Sequence, residues 1–135
     1  VIGSSGLVPR AWHWSYLRHG APQVHGRFER MHKRRMTEED WAAWVAMRAV
    51  AEALVRFKDN ENFSFSDAFV NENFKLDGSK GPILNFRPWN RQLRQPIMLS
   101  TENWVTSIAP LNSFVHRENN LDTIGMDNKT SKCAN

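Results

Sequence analysis

Four histidines, His13, His19, His25 and His32, are the first candidates for chemistry, but they lie six or seven residues apart. Zinc ligands pair at closer spacing, commonly two to five residues and often with cysteine, and no such pair occurs here. Nucleophilic catalysis needs a serine or cysteine with a base held beside it. The chain has no Gly-x-Ser-x-Gly elbow, and its one cysteine, Cys133, lies in the final stretch. Gly78-Ser79-Lys80-Gly81 is too short for a phosphate-cradling loop, which requires Gly-x4-Gly-Lys-Ser/Thr. Asn62-Phe63-Ser64 and Asn128-Lys129-Thr130 are formal glycosylation sequons that matter only in a eukaryotic secretory setting. The residues suited to binding are in Gly3-Ser4-Ser5-Gly6, where glycines let backbone turn sharply or approach a ligand. None of these arrangements matches an established metal, nucleophile or phosphate-binding pattern.

The 135 residues suffice for one domain with its own core, and six Trp and eight Phe belong to a packed protein. No apolar run is long enough to span a membrane. The net charge of +4 is concentrated early: residues 1–60 hold ten Lys/Arg against six Asp/Glu, and residues 61–135 hold eight of each. Arg27, Arg30, Lys33, Arg34 and Arg35, with Trp12, Trp14, Phe28 and Trp89 as stacking surfaces, define the alternative function, a basic nucleic-acid-binding module. Glu29, Glu38, Glu39 and Asp40 dilute that stretch, and a solvated basic face is the reading the residues favour.

These groups need elements to hold them. Val1-Ile2 reads as a strand opening into the Gly-rich loop. Gly3 to Arg10 also has the letters of a tag remnant with a thrombin site, although Val1-Ile2 before it and Ala11-Trp12-His13 after it are unlike one. Ala11 to His19 and Val24 to Arg35 are expected to be helical. The strongest expectation is a helix over Glu38–Phe57, capped by Thr37, with Glu38, Glu39 and Asp40 at the positive end of its dipole. Arg48, Glu52 and Arg56 recur every four residues, which predicts one wet line on a helix otherwise buried. A short helix from Ser64 or Ser66 to Phe74 should follow. Strands are expected over Ile83–Phe86, Gln95–Leu99 and Trp104–Ile108, with turns at Asp77–Gly81 and Pro88–Arg91. The expected fold class is α/β, with residues 1–110 as the structured unit and 111–135 as an irregular C-terminal extension.

That order of elements resembles the end of a type I periplasmic solute-binding protein, the class that includes the leucine/isoleucine/valine-binding proteins of ABC transporters. Gly6-Leu7-Val8-Pro9, Ala11-Trp12-His13, Phe28-Glu29-Arg30 and Trp41-Ala42-Ala43-Trp44 are similar to one branch of that class. So are Phe86-Arg87-Pro88-Trp89-Asn90, Leu93-Arg94-Gln95-Pro96-Ile97 and Leu121-Asp122-Thr123. The branch is the ABC-type substrate-binding proteins associated with pyrroloquinoline quinone (PQQ)-dependent alcohol oxidation, and the likeness covers about residues 1–127.

The resemblance implies a two-lobed α/β protein that closes over a small solute in the periplasm, a binding module that is not an enzyme and carries no cofactor. This chain would supply part of one lobe and the late strands that cross between lobes. Its partners would be the solute and either ABC transporter membrane subunits or a PQQ-dependent dehydrogenase system, with no nucleic acid. Ser4 and Ser5 match the cleft loop, Ser5 standing where amino-acid-binding relatives carry an acid for the ligand's ammonium group. A serine cannot neutralise that charge, so a neutral or anionic solute is implied. Trp41 matches an aromatic position at the start of the long helix that borders the cleft; a core role for it is equally compatible with its size. A partial lobe should also expose apolar surface, with Trp89, Ile97, Leu99 and Trp104 as the candidates.

Overall fold

A computed structural model of the chain describes residues 6–111 and 116–123. Strand β1 (Val8–Arg10) leads through an irregular segment into helix α1 (Ala21–His32) and helix α2 (Glu38–Phe57). A short helix α3 (Phe65–Val70) follows, then strands β2 (Leu76–Asp77), β3 (Ile83–Phe86) and β4 (Leu93–Arg94). The last strands are β5 (Ile97–Ser100) and β6 (Val105–Ala109), and a single 3-10 turn covers Asn120–Asp122. The protein is mixed α/β. Its strands form two three-stranded antiparallel sheets, β1-β5-β6 and β2-β3-β4.

Helix α2 begins where its sequence places it. The Asp40 backbone N–H donates to the Thr37 hydroxyl, and the Asp40 carboxylate accepts the Thr37 N–H at 2.9 Å, a reciprocal capping box. The Arg34 guanidinium forks onto the same carboxylate and holds it well below the usual carboxylate range. Arg48, Glu52 and Arg56 lie along one line and pair with one another, as their spacing predicts. The rest of the helix is less buried than expected. Only Trp41, Val45, Ala49 and Ala53 form the buried stripe, while Met47 and Val55 are exposed. Their period of four makes one narrow inward face.

That stripe packs on α3 and β2. Around it runs a chain of phenylalanine contacts: Phe63 on Phe65, Phe65 on Phe69, and Phe69 on both Phe74 and Phe86, at centroid distances of 4.9 to 6.0 Å. Small residues on the helix let these large rings approach. Trp12, Phe74, Leu76, Leu84 and Met98 complete the centre of the core.

Several expectations are corrected. Ala11–His19 is not helical: the Ser15 backbone N–H donates to His13 Nδ1 at 3.2 Å, and Tyr16 N–H reaches the His13 carbonyl, so side-chain and turn bonds replace a helical ladder. Helix α1 runs from Ala21 with Pro22 in its first turn, and ends at a left-handed Lys33. The strand expected over Gln95–Leu99 runs instead from Ile97 to Ser100, starting after Pro96, which cannot donate into a ladder. The short helix stops at Val70. Val8–Arg10, inside the stretch with tag-like letters, is a sheet strand paired with Met98–Ser100, which a detached tag would not be. Residues 116–123 are tied down: Asp122 bridges Arg87 and Arg94 at 2.6 and 2.8 Å. Of the four expected exposed residues, Trp104 is 60% exposed, while Trp89, Ile97 and Leu99 are half-buried.

Candidate functional site

Strand β1 delivers Arg10, the next residues deliver Trp12, His13 and Trp14, and the capping turn of α2 delivers Thr37, Glu38 and Glu39. Together with Arg35, Met36 and Glu102 these line a hollow of about 290 Å³ at the N-terminal end of α2. The sequence places its site in this part of the chain. Ser4 and Ser5 lie outside the described residues, a few positions before β1. Trp41 lies beneath the hollow, in the core. It is 1% exposed, stacks on Trp12 at 6.1 Å with planes 9° apart, and donates its indole N–H to the Gly78 carbonyl at 3.0 Å. Trp41 therefore supports the wall and does not itself reach the opening.

Trp12 is the half of that stack facing the hollow. Its indole N–H is buried and has no acceptor among the described residues, and the same holds for Arg10 Nε. Unsatisfied buried donors cost about 1–3 kcal/mol each and are rare in native proteins. Among the described residues four side-chain atoms are in this state; two, Trp12 Nε1 and Arg10 Nε, belong to residues that line this hollow, and the others are His25 Nδ1 and Ser100 Oγ. The Arg10 guanidinium is only loosely tethered, to Glu38 at 3.5 Å, whose other carboxylate oxygen accepts the Ala11 N–H at 3.0 Å.

Around these donors the walls are fixed. His13 is buried and its Nδ1 accepts from Ser15, so the ring proton is on Nε2, donating to the Glu102 carbonyl at 3.2 Å. Burial lowers the pKa of His13, which keeps the ring neutral near pH 7. The Arg35 guanidinium lies 3.6 Å from the Trp14 ring centroid, a cation–π contact that fixes both side chains. Hydrogen bonding from Thr37 lowers the pKa of Glu39, so the rim stays charged.

Lys80 also packs on Trp41. Lys80 is 1% exposed, its amine 3.8 Å from the Trp41 ring centroid and donating to Ala11 O, Gln95 Oε1 and Pro96 O at 2.6, 2.6 and 3.1 Å. Burial pushes the amine down to about 7, against the pull of three oxygens and the ring face, which favour the ammonium. Gly78 is required for this closeness, because a Cβ there would stand 2.4 Å from Leu84 Cδ1. A larger hollow, about 660 Å³, borders Lys80 together with Tyr16, Ala109 and Asn120. We favour the smaller one as the site, because Lys80 spends all three of its N–H bonds on the protein itself.

No protein-family model, curated protein or solved structure matches the chain.

Part of the basic stretch of the alternative reading is tied to the protein, while Arg27, Arg30 and Lys33 are exposed. Arg34 binds Asp40 and lies over Phe28 at 4.8 Å, Arg35 covers Trp14, and Trp12 is buried. Among the described residues no cluster of three or more His, Cys, Asp or Glu is placed to hold a metal ion, and no helix is long and apolar enough to cross a membrane. Sequence reasoning missed Arg10, Trp12 and Lys80 as organising residues. The one available signal was the dense Trp12-His13-Trp14 run directly after a strand; nothing local marked Lys80 in its Gly-Ser-Lys-Gly turn as buried.

Proposed function

We propose that the chain is the C-terminal part of a type I periplasmic solute-binding protein, serving an ABC transporter linked to PQQ-dependent alcohol oxidation. On this reading it contributes part of one lobe, and the strands of its two sheets include those that cross toward the other. It binds and does not catalyse, and it needs no cofactor. The support for the family is the likeness of residues 1–127. The support for the site is one observation: Trp12 Nε1 and Arg10 Nε are buried donors without acceptors at one hollow.

Both donor atoms are covered in this structure, so on this reading the hollow's walls shift to let a solute's acceptor oxygens reach them. Ser5, in place of an acid, supplies no counter-charge for an amine. A small hydroxylated or carboxylated solute fits both facts, and a cationic amine fits neither.

The reading is tested by titrating the full-length protein, and this chain alone, with a panel of small alcohols, hydroxy acids, carboxylates and amines, followed calorimetrically. We expect heat from one of the oxygenated solutes and none from the amines. Arg10→Ala should weaken that binding by roughly tenfold, the worth of one hydrogen bond to a charged group. Preferential binding of an amine, or an Arg10→Ala protein with undiminished affinity, contradicts the assignment.

A further inference from the structure

A second opening lies between α1 and α2 and shares neither Arg10 nor Trp12 with the hollow above. Val24, Phe28 and Met31 lie at helical spacing on one face of α1, and Trp44 and Arg48 are one turn apart on α2. These two faces line a cleft of about 620 Å³, within the range of small-molecule sites. The two helices do not pack closely on one another, whereas α2 does pack on α3 and β2. Apolar side chains therefore stand toward the opening: Met31 is 76% exposed, and Phe28 and Trp44 are half-buried.

The charges of the cleft are unequal in their commitments. Its two acids are already used. Asp40 accepts from Arg34 and from the Thr37 N–H, and Asp77 accepts the Ser79 N–H at 2.7 Å. Its two arginines are freer. Arg27 makes no hydrogen bond or ion pair among the described residues, and Arg48 reaches Glu52 only at 4.0 Å while its guanidinium lies 5.2 Å from the Trp44 ring centroid. The cleft thus offers an apolar body-binding wall beside one guanidinium unpaired among the described residues, Arg27, and one weakly paired, Arg48, groups that bind carboxylates in a two-pronged geometry.

We propose that the α1/α2 cleft binds a small amphipathic carboxylate, with an aromatic or short alkyl body against Phe28, Met31 and Trp44 and its carboxylate on Arg27 and Arg48. Burying exposed Met31 and Trp44 surface supplies affinity, and the arginines supply selectivity for the anion.

Naphthoate is the probe, titrated into the protein while tryptophan fluorescence and calorimetric heat are followed, with naphthalenemethanol as its neutral analogue. Naphthoate should bind at least tenfold more tightly than the alcohol. Arg27→Ala and Arg48→Ala should each weaken naphthoate by roughly tenfold and leave the alcohol unchanged, since one charge-assisted contact is removed. Both arginines are on the wet side of their helices, so folding is unaffected, and far-ultraviolet circular dichroism checks this. Arg10→Ala should leave naphthoate binding intact, which separates this site from the one proposed above. Equal affinity for acid and alcohol, no binding at millimolar probe, insensitivity to both arginine substitutions, or preference for an acidic helical peptide over naphthoate overturns the proposal.

Discussion

Trp12 and Trp41 are two faces of one stacked pair, yet their surroundings are opposite in kind. Trp41 is enclosed by Gly78, Lys80 and Leu84, its N–H is bonded, and its ring face carries an ammonium. Trp12 is as deeply buried, at 2% exposure, but its N–H has no acceptor among the described residues, and the residues beside it frame a hollow. A buried donor left unbonded destabilises the folded state. The stack therefore divides the molecule into a side built for stability and a side where stability is given up, and such exceptions cluster at functional positions.

The largest effect should come from removing the structural partner. Trp41→Ala deletes the floor of the core and should cost about 3–5 kcal/mol, read as a lowered denaturation midpoint. A milder substitution compares the two sides directly. Trp41→Phe loses a bonded N–H and strands the Gly78 carbonyl, while Trp12→Phe removes a donor that is bonded to nothing. Both shrink the ring equally, so Trp41→Phe should be the more destabilising by about 1–2 kcal/mol. Equal losses would mean that Trp12 is satisfied in solution and that the two sides do not differ.

A pH-dependent effect concerns Lys80. Its folded pKa lies below the unfolded value, so between about 7 and about 10 the unfolded chain binds more protons. Stability should then rise with pH across that window, by about 1 kcal/mol per pH unit at most. Subtracting the profile of Lys80→Met isolates this contribution. A difference that is flat, or falls as pH rises, would show that the three oxygens and the Trp41 face hold the ammonium more strongly than burial opposes it.

Much of α2 was legible because its signals are local: a Thr37 cap, three acids in the first turn, and a charged line at period four all act within the helix. The burial around the helix was not, since Met47 and Val55 look like core residues until the partner elements are known. Ala11–His19 misled for a different reason. Its aromatics have helical spacing, but the His13 ring captures the Ser15 N–H and bends the chain first. The strands and the Pro88–Arg91 turn were visible in outline, whereas the division into two sheets depends on contacts such as Val8 with Ser100, far apart in sequence. Of the site residues named from the sequence, Ser4 and Ser5 lie outside the described residues and Trp41 is a core residue stacked on Trp12. Only packing decides which of two adjacent tryptophans keeps a free N–H.

The most direct test of the proposed site follows the indole N–H resonances of the six tryptophans while the protein is titrated with the panel of oxygenated solutes. The account predicts that the Trp12 indole proton moves downfield as it gains an acceptor, while that of Trp41, already bonded to Gly78, stays in place. Saturation that leaves the Trp12 resonance unmoved would contradict it.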